Sequence, residues 1–398
     1  MATLTLIGEA LPGSNALMTR CLIDELAIAF ADTAPRGCSV TTLLGRGSAA
    51  TVREHPKLRT AHHPFRAGAL PVLWQSGMTA RGVTGDFQHA ATPLAALRAN
   101  DEQLPQQRSV TIPHALAWQD PASLPNGVAR LIRSYARRAM KHADLVVTPT
   151  HATAEVLREV YGDRPEFRVI PFAPLSAPAS GGADAAQSLG LPERYLLTTA
   201  RATENGRLDW VLDAIERGAA GDVPLVILEG ELTGGEAVST NSGAVPVAEG
   251  DEAKPVSAPK RNRRGADATG HDRLLAEHPQ AAARTSIVRV TSHAELTAVI
   301  AGAQALLHPQ RYLGTGMTVL TALGAGVPVL HADDPAATEL VLDGGQVFAT
   351  AAELAEQLEL LHTDDSARQR LALLAGDRSR AFSWGGTAWH IWQSHADL

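Results

Sequence analysis

The feature that most limits what this chain can become is a rhythm that runs once, stops and starts again. Apolar runs of three to five residues alternate with amphipathic stretches of helix length. Strands that short with little polar alternation are the kind buried on both faces. The amphipathic stretch between two of them carries the chain back over the sheet, so the pattern reads as successive βαβ units around parallel sheets. In the first half the expected strands are Thr3–Ile7, Ser39–Leu43, Ser109–Ile112, Leu145–Thr148 and Arg168–Pro171, with helices over Asn15–Ala31, Gly127–Lys141 and Ala152–Tyr161. Thr150 stands just before the last of these as a cap, and Glu155 falls in its first turn. The second half repeats the scheme. Strands are expected at Tyr195–Thr199, Leu225–Leu228, Ile287–Val290, Ala305–His308 and Pro328–Leu330, and helices at 208–217, 294–303, 316–325 and 351–361.

A chain of 398 residues exceeds what one core usually serves. The Pro-, Ala-, Ser- and Gly-rich stretch Ala173–Ala186 reads as the joint between two domains. The expected division is an N-terminal Rossmann-like domain over 1–175, a linker over 176–190, a second Rossmann-like domain over 191–380, and a closing helix over 381–398. One region breaks the rhythm: Thr233–Gly270 holds no Leu, Ile, Met or aromatic residue. It cannot bury enough apolar surface to offset its ordering entropy, so a disordered insertion over 233–270 is expected. It begins just past Gly230, at the end of an expected strand, on the side where α/β proteins place ligands. Its basic cluster Lys260–Arg264 reads as a solvated charge run, with contact to an acidic partner as the alternative.

Composition excludes several classes. With 45% apolar and 19% charged residues the chain is globular, and a net charge of −7 gives nucleic acid no footprint. Two cysteines, Cys21 and Cys38, build no disulfide framework and suit a reducing, cytoplasmic setting. The start, MATLTLIGEALPG, lacks the basic and long apolar regions of a secretion signal, and no run of about 18 apolar residues spans a membrane. Peripheral contact with the inner face of a membrane stays open.

Chemistry concentrates in Ala305–Leu330. A strand ends at Pro309, a loop carries Gly314 and Gly316, and a helix begins near Gly316. Such a loop presents unpaired N–H groups and a positive dipole end, which hold phosphate without side-chain charge. An ordinary strand–loop–helix joint needs the same glycines, and local chemistry does not separate the two. GAGVPV at Gly324–Val329 follows a helix and precedes a strand, so it is not a dinucleotide fingerprint. With no Walker loop, no H-E-x-x-H, no paired C-x-x-C and no Asp-x-Asp after a strand, neither a metal nor a cofactor is expected. His114, just past the strand Ser109–Ile112, would face a cleft and titrate near neutrality; a hydrogen-bonded loop histidine is the plainer reading. Gly13 and Ser14 after the first strand, and Arg201 after Thr199, are further cleft candidates.

Seven segments in order resemble the retaining GT-B glycosyltransferases of the large group-1 family, and its mannosyltransferase-like branch in particular. They are Asp86–Arg98, Ser109–Trp118, His142–Leu157, Leu208–Ile215, His293–Gln310, Gly326–Val341 and Phe382–Trp392. The resemblance implies two Rossmann-like domains facing across a cleft, with the last helix crossing back to the first domain. It implies transfer, with retention, of a sugar from a nucleotide-diphosphate sugar to a glycan or lipid-linked acceptor that stays unidentified. By position, His114 matches the histidine contacting the donor sugar, Gly13 the loop beneath the diphosphate, and Thr315, Gly316 and Met317 the phosphate-binding amides. The family's two glutamates, separated by seven residues, fall on Leu313 and Thr321 here. Threonine accepts from ribose hydroxyls only weakly. The family's lysine falls on Gly206, beside Arg207, and the serine after its proline is Gln310. Two readings therefore stand, an active transferase using Arg201 or Arg207 with the Gly316–Met317 amides, and a non-catalytic GT-B protein. A third, epimerisation of a nucleotide sugar, would call for cleft acids that the sequence does not place.

Overall fold

The computed structural model describes residues 2–11, 16–48, 50–77, 83–98, 106–163, 165–177, 182–229 and 266–398. Strands β1 (Ala2–Ile7), β2 (Cys38–Arg46), β3 (Leu58–Arg66), β4 (Phe87–Ala90), β5 (Gln107–Thr111), β6 (Leu145–Thr148) and β7 (Glu166–Val169) form one sheet, ordered β3-β2-β1-β4-β5-β6-β7. Strands β8 (Leu196–Thr198), β9 (Leu225–Glu229), β10 (Thr285–Arg289), β11 (Ala305–His308), β12 (Val329–Ala332) and β13 (Gly345–Phe348) form a second, ordered β10-β9-β8-β11-β12-β13. Every neighbouring pair is parallel.

Both orders follow one logic. The chain walks outward from the first strand to one edge, then returns to that strand's other side. Each sheet thus has one switch point, β1/β4 in the first and β8/β11 in the second, where successive connections leave on opposite faces. A crevice opens there beyond the strands' C-terminal ends, and α/β proteins bind ligands in it.

Central strands of the second sheet are buried throughout, all five residues of β9 and all four of β11, and apolar up to the Glu229 and His308 that end them. Helix starts follow local capping rules. The Thr150 hydroxyl accepts the Thr153 N–H at 3.2 Å at the head of His151–Tyr161. Ser292 and Glu295 close a reciprocal box at the head of His293–Ala301.

Three strands escape the reading of apolar runs, each for a visible reason, although β4 lies within Asp86–Arg98, which the family resemblance matches to acceptor-domain strands. β3 and β13 are edge strands with mostly polar or half-exposed residues, so no apolar run marks them. β4 is central yet carries Gln88 and His89, both buried. His89 is tolerated because Ser109 Oγ lies 2.8 Å from its Nδ1 and Thr111 Oγ1 lies 3.2 Å from its Nε2. The stretch expected as linker contains a helix, Gly182–Ser188. Of the expected insertion, 233–265 lies outside the described residues. Its last five residues, expected to be disordered, instead open the helix Ala266–Glu277, which Leu274 and Leu275 anchor on the second domain's core.

The final helix, Trp384–Asp397, crosses back onto the first domain. Trp392 Nε1 donates to the Phe30 carbonyl at 3.3 Å, and His395 Nε2 meets Ser109 Oγ at 2.9 Å. Trp384 Nε1 and Thr387 Oγ1 donate to the carbonyls of Pro174 and Pro171 at 2.8 and 2.7 Å, tying down the crossover between domains. On the cleft side the domains also meet directly. The Glu339 carboxylate accepts the His151 N–H at 2.8 Å, so an acid of the second domain caps a helix of the first.

Candidate functional site

The two switch points face each other, and the space between them is a cleft of about 1440 Å³ with its mouth included. Leu11 and Thr92, beyond β1 and β4, line it from the first domain, with His114 beyond β5. Thr199 and Arg201, beyond β8, and His308 and Gln310, at and beyond the end of β11, line it from the second. Thr315, Gly316, Met317 and Thr318 complete that wall.

Gly316 heads the helix Met317–Gly324 with φ +72°, a conformation that favours glycine. A side chain there would also meet Leu340 Cδ1 at 2.6 Å. The helix begins at the cleft, so its first-turn amides, which have no intrahelical carbonyl to reach, face the same space with the positive end of the dipole. Arg201 is the single charged side chain among the described lining residues, and no carboxylate is among them. The positive potential on this wall therefore comes from one guanidinium and one helix terminus.

The loop bearing Arg201 is braced by the loop after β11. The Asn205 carbonyl accepts the Arg311 N–H at 2.9 Å, and Asn205 Oδ1 accepts the Tyr312 N–H at 3.0 Å. Gly206 lies in this brace with no room for a side chain. A Cβ on it would stand 2.5 Å from the Arg201 carbonyl oxygen and 2.7 Å from its nitrogen. Any larger residue at 206, the lysine that the resemblance implies included, would meet this close approach. Arg207 takes a left-handed φ of +49° at the head of Leu208–Glu216 and lays its guanidinium 4.3 Å over the Trp210 ring. It is not among the cleft-lining residues, so of the two arginines considered as phosphate ligands only Arg201 is in position.

Leu313 lines the cleft and is 5% exposed, packed in the core cluster that includes Met317 and Leu340. Its N–H donates to Asp334 Oδ2 at 3.2 Å, and Asp334 also accepts the Ala337 N–H at 3.0 Å. Burial lifts the Asp334 carboxyl above its usual range, against the pull of those amides. Thr321 corrects the sequence expectation. It is not among the cleft-lining residues, donates to the Met317 carbonyl at 2.7 Å and accepts the Leu175 N–H at 3.1 Å, so its proton is taken and it braces the crossover segment. Gly13 and Ser14 lie outside the described residues.

Burial dominates the electrostatics. It pushes His114 down to about 4 and His308 to about 3, the latter helped by the neighbouring His331. Both rings are therefore neutral at pH 7, each with one N–H donor and one acceptor nitrogen. Reading by sequence singled out His114 and missed His308. The same signal applied to both, a histidine at the C-terminal end of a parallel strand.

A cleft between two parallel α/β sheets, bridged by a terminal helix that returns to the first domain, defines the GT-B class. Matches to known families make the assignment finer. Residues 22–172 match the family described as Glycosyltransferase Family 4, and residues 193–364 match Glycosyl transferases group 1. The two matches fall one on each domain, so both halves of the cleft match glycosyltransferase families and support a GT-B glycosyltransferase of the group-1 type. Solved structures share the fold over the whole length. Sucrose-phosphate synthase from Thermosynechococcus elongatus superposes with TM-score 0.66 at 17% identity, covering 100% of this chain and 99% of that one. The Anabaena protein HepE in complex with UDP-glucose gives 0.64 at 13%, covering 100% of both. WaaG, a glycosyltransferase involved in lipopolysaccharide biosynthesis, gives 0.62 at 13%, covering 98% of each. No curated protein matches the chain by sequence at a significant level.

Proposed function

We propose that this chain transfers a hexosyl group from a nucleoside-diphosphate sugar to a hydroxyl of an acceptor, with retention at the anomeric carbon. The observation that carries the reading is the convergence of Arg201, the amino end of Met317–Gly324 and His114 on one interdomain cleft. Arg201 and the first-turn amides of that helix supply the positive potential a diphosphate needs. His114 comes from the opposite domain, from where it can meet the sugar at the boundary between donor and acceptor sites. That HepE was captured with UDP-glucose on the same fold agrees with this class of donor.

Retention is what the group-1 resemblance implies, and what lines the cleft bears on which retaining route is open. A route of two inversions needs a carboxylate nucleophile, and the described lining residues include none. The remaining route brings the acceptor oxygen to the face the leaving group departs from. The bond from the anomeric carbon to the phosphate oxygen breaks, the bond to the acceptor oxygen forms, and the departing phosphate takes the acceptor's proton. Arg201 and the helix amides stabilise the charge that develops on that phosphate. A mannosyl donor, a glycan or lipid-linked acceptor and work at the inner membrane face fit the group-1 resemblance.

The test is calorimetric titration with UDP-, GDP- and ADP-sugars, followed by product analysis with the donor that binds. Binding and turnover, with turnover lost in His114→Ala, are expected. Absence of binding to every donor at millimolar concentration would overturn the assignment. Binding without hydrolysis or transfer would instead assign the chain to the non-catalytic reading.

A further inference from the structure

The second-domain wall of the cleft carries polar atoms that the fold itself does not use. His308 is 7% exposed, and among the described residues neither of its ring nitrogens has a hydrogen-bond partner. Thr318 is 4% exposed and its hydroxyl is likewise unmatched among the described residues, as is the Gln310 Oε1 atom. All three residues line the cleft. A buried polar group without a partner destabilises the protein that holds it, so three on one wall indicate atoms kept for something that enters.

The kind of atom narrows what enters. Gln310 Nε2 is already engaged, donating to Thr199 Oγ1 at 2.9 Å. That leaves its Oε1 as a pure acceptor, which repels phosphate oxygens and requires a partner with a hydrogen to give. His308 offers one donor and one acceptor, and Thr318 can do either. Acceptors and donors together, with no charge, match hydroxyl groups, which also give and take. The position agrees: His308 ends β11, whose neighbour β8 leads to Arg201, so the wall adjoins the diphosphate position.

We propose that His308, Gln310 and Thr318 form a neutral wall that reads the hydroxyls of an uncharged sugar on the donor, in place of acidic side chains. This step rests on the nucleotide-sugar reading above. It assigns His308 as a residue that determines donor specificity by direct contact with the sugar.

The experiment compares each free nucleoside diphosphate with its sugar conjugate, using UDP and UDP-glucose, GDP and GDP-mannose, and ADP and ADP-glucose. The readout is the ratio of the two dissociation constants for the pair that binds tightest. In His308→Leu the ratio should move about tenfold toward the free nucleotide, as expected for loss of one or two hydrogen bonds, while free-nucleotide affinity stays within about twofold. Thr318→Val, close in shape, should move it about threefold in the same direction. The ligand-free His308→Leu protein should melt no lower than the parent, because an unmatched buried ring has been removed; a histidine kept for structure would give the opposite. An unchanged ratio in both variants, or equal weakening of free and sugar-bearing nucleotides, would overturn this proposal while leaving donor binding intact. Failure of the parent protein to bind any pair would overturn the donor reading itself.

Discussion

Gly206 offers the sharpest test of how the anion site is built. In Gly206→Ala the new methyl would stand 2.5 Å from Arg201 O, 2.7 Å from Arg201 N and 2.8 Å from Arg201 Cβ. Two of those atoms are backbone, and the backbone cannot yield locally. Arg201 O is held by the Leu208 N–H at 3.1 Å, and the Gly206 N–H donates to Thr203 Oγ1 at 3.0 Å. The loop must therefore open as a unit. Overpacking of this kind costs about 1–3 kcal/mol, and contact with fixed backbone places it at the upper end. For a domain of this size about 3 kcal/mol lowers the melting temperature by roughly 6–12 °C.

Opening the loop also carries Arg201 away from the phosphate position. Loss of a charge-assisted contact, about 1.5–3 kcal/mol, weakens nucleotide binding roughly 10- to 150-fold. Thermal melting and titration with the best-binding nucleotide measure the two effects separately. Gly206→Lys, which reintroduces the family's residue, should be worse on both counts. A variant that melts within about 2 °C of the parent and binds equally well would show that the loop yields freely, and the steric reason given for glycine would be wrong.

Four further outcomes follow from other parts of the molecule. Burial holds His89 near about 3 and His395 near about 4, below the ordinary 6.5, so the native state binds fewer protons than the unfolded one. Their contribution is complete above pH 6.5 and is lost as pH falls below it, by about 1.4 kcal/mol per pH unit for each ring; melting curves from pH 7 to 5 should show this slope, and His395→Gln should flatten it. Trp392→Ala removes a 6% exposed indole and its bond to Phe30, and should cost about 3–5 kcal/mol in denaturant unfolding. In Glu339→Gln the charge capping His151–Tyr161 across the domains is lost; small-angle scattering with saturating nucleotide should show a wider cleft, and an unchanged profile would deny the latch. Leu313→Glu buries a second carboxyl beside Asp334 and should destabilise by about 2 kcal/mol or more without restoring donor affinity.

What the sequence disclosed and withheld divides along physical lines. Doubly buried strands such as β6 and β11 were legible to the residue, because their burial demands continuous apolar runs. The strand β4 was not, because its buried Gln88 and His89 are satisfied by partners distant in sequence, and His89 reaches Ser109 and Thr111 only after the sheet has formed. The site divides the same way. His114, Arg201 and the Gly316 helix head could be placed at a cleft from sequence because each follows a strand or opens a helix, which is local information. Arg207 and Thr321 are one residue and one helical face away from where alignment alone puts them. One is turned by a positive φ onto Trp210, and the other is taken up by the Leu175 amide. Neither interaction leaves a mark on local pattern.

The departures from the family pattern change meaning when their charges are taken together. Where the resemblance puts two acids and one lysine the sequence has Leu313, Thr321 and Gly206, and counted singly each would be a lost ligand. Counted as a field, the exchange removes two negative charges and one positive, a net gain of one positive charge toward a diphosphate. At an effective dielectric constant near 20, each acid removed from about 8 Å relieves roughly 2 kcal/mol of repulsion, comparable to what the lost lysine would have given. The remaining pieces are consistent with that exchange. Arg201 is the lone cation of the described wall, the helix head adds positive potential without a side chain, and the polar atoms at His308, Gln310 and Thr318 are neutral. A site of this kind leans on fixed amides and one braced guanidinium rather than on paired charges. Its affinity for a nucleotide sugar should therefore fall with added salt and change little between pH 6 and 8, where burial keeps His114 and His308 neutral.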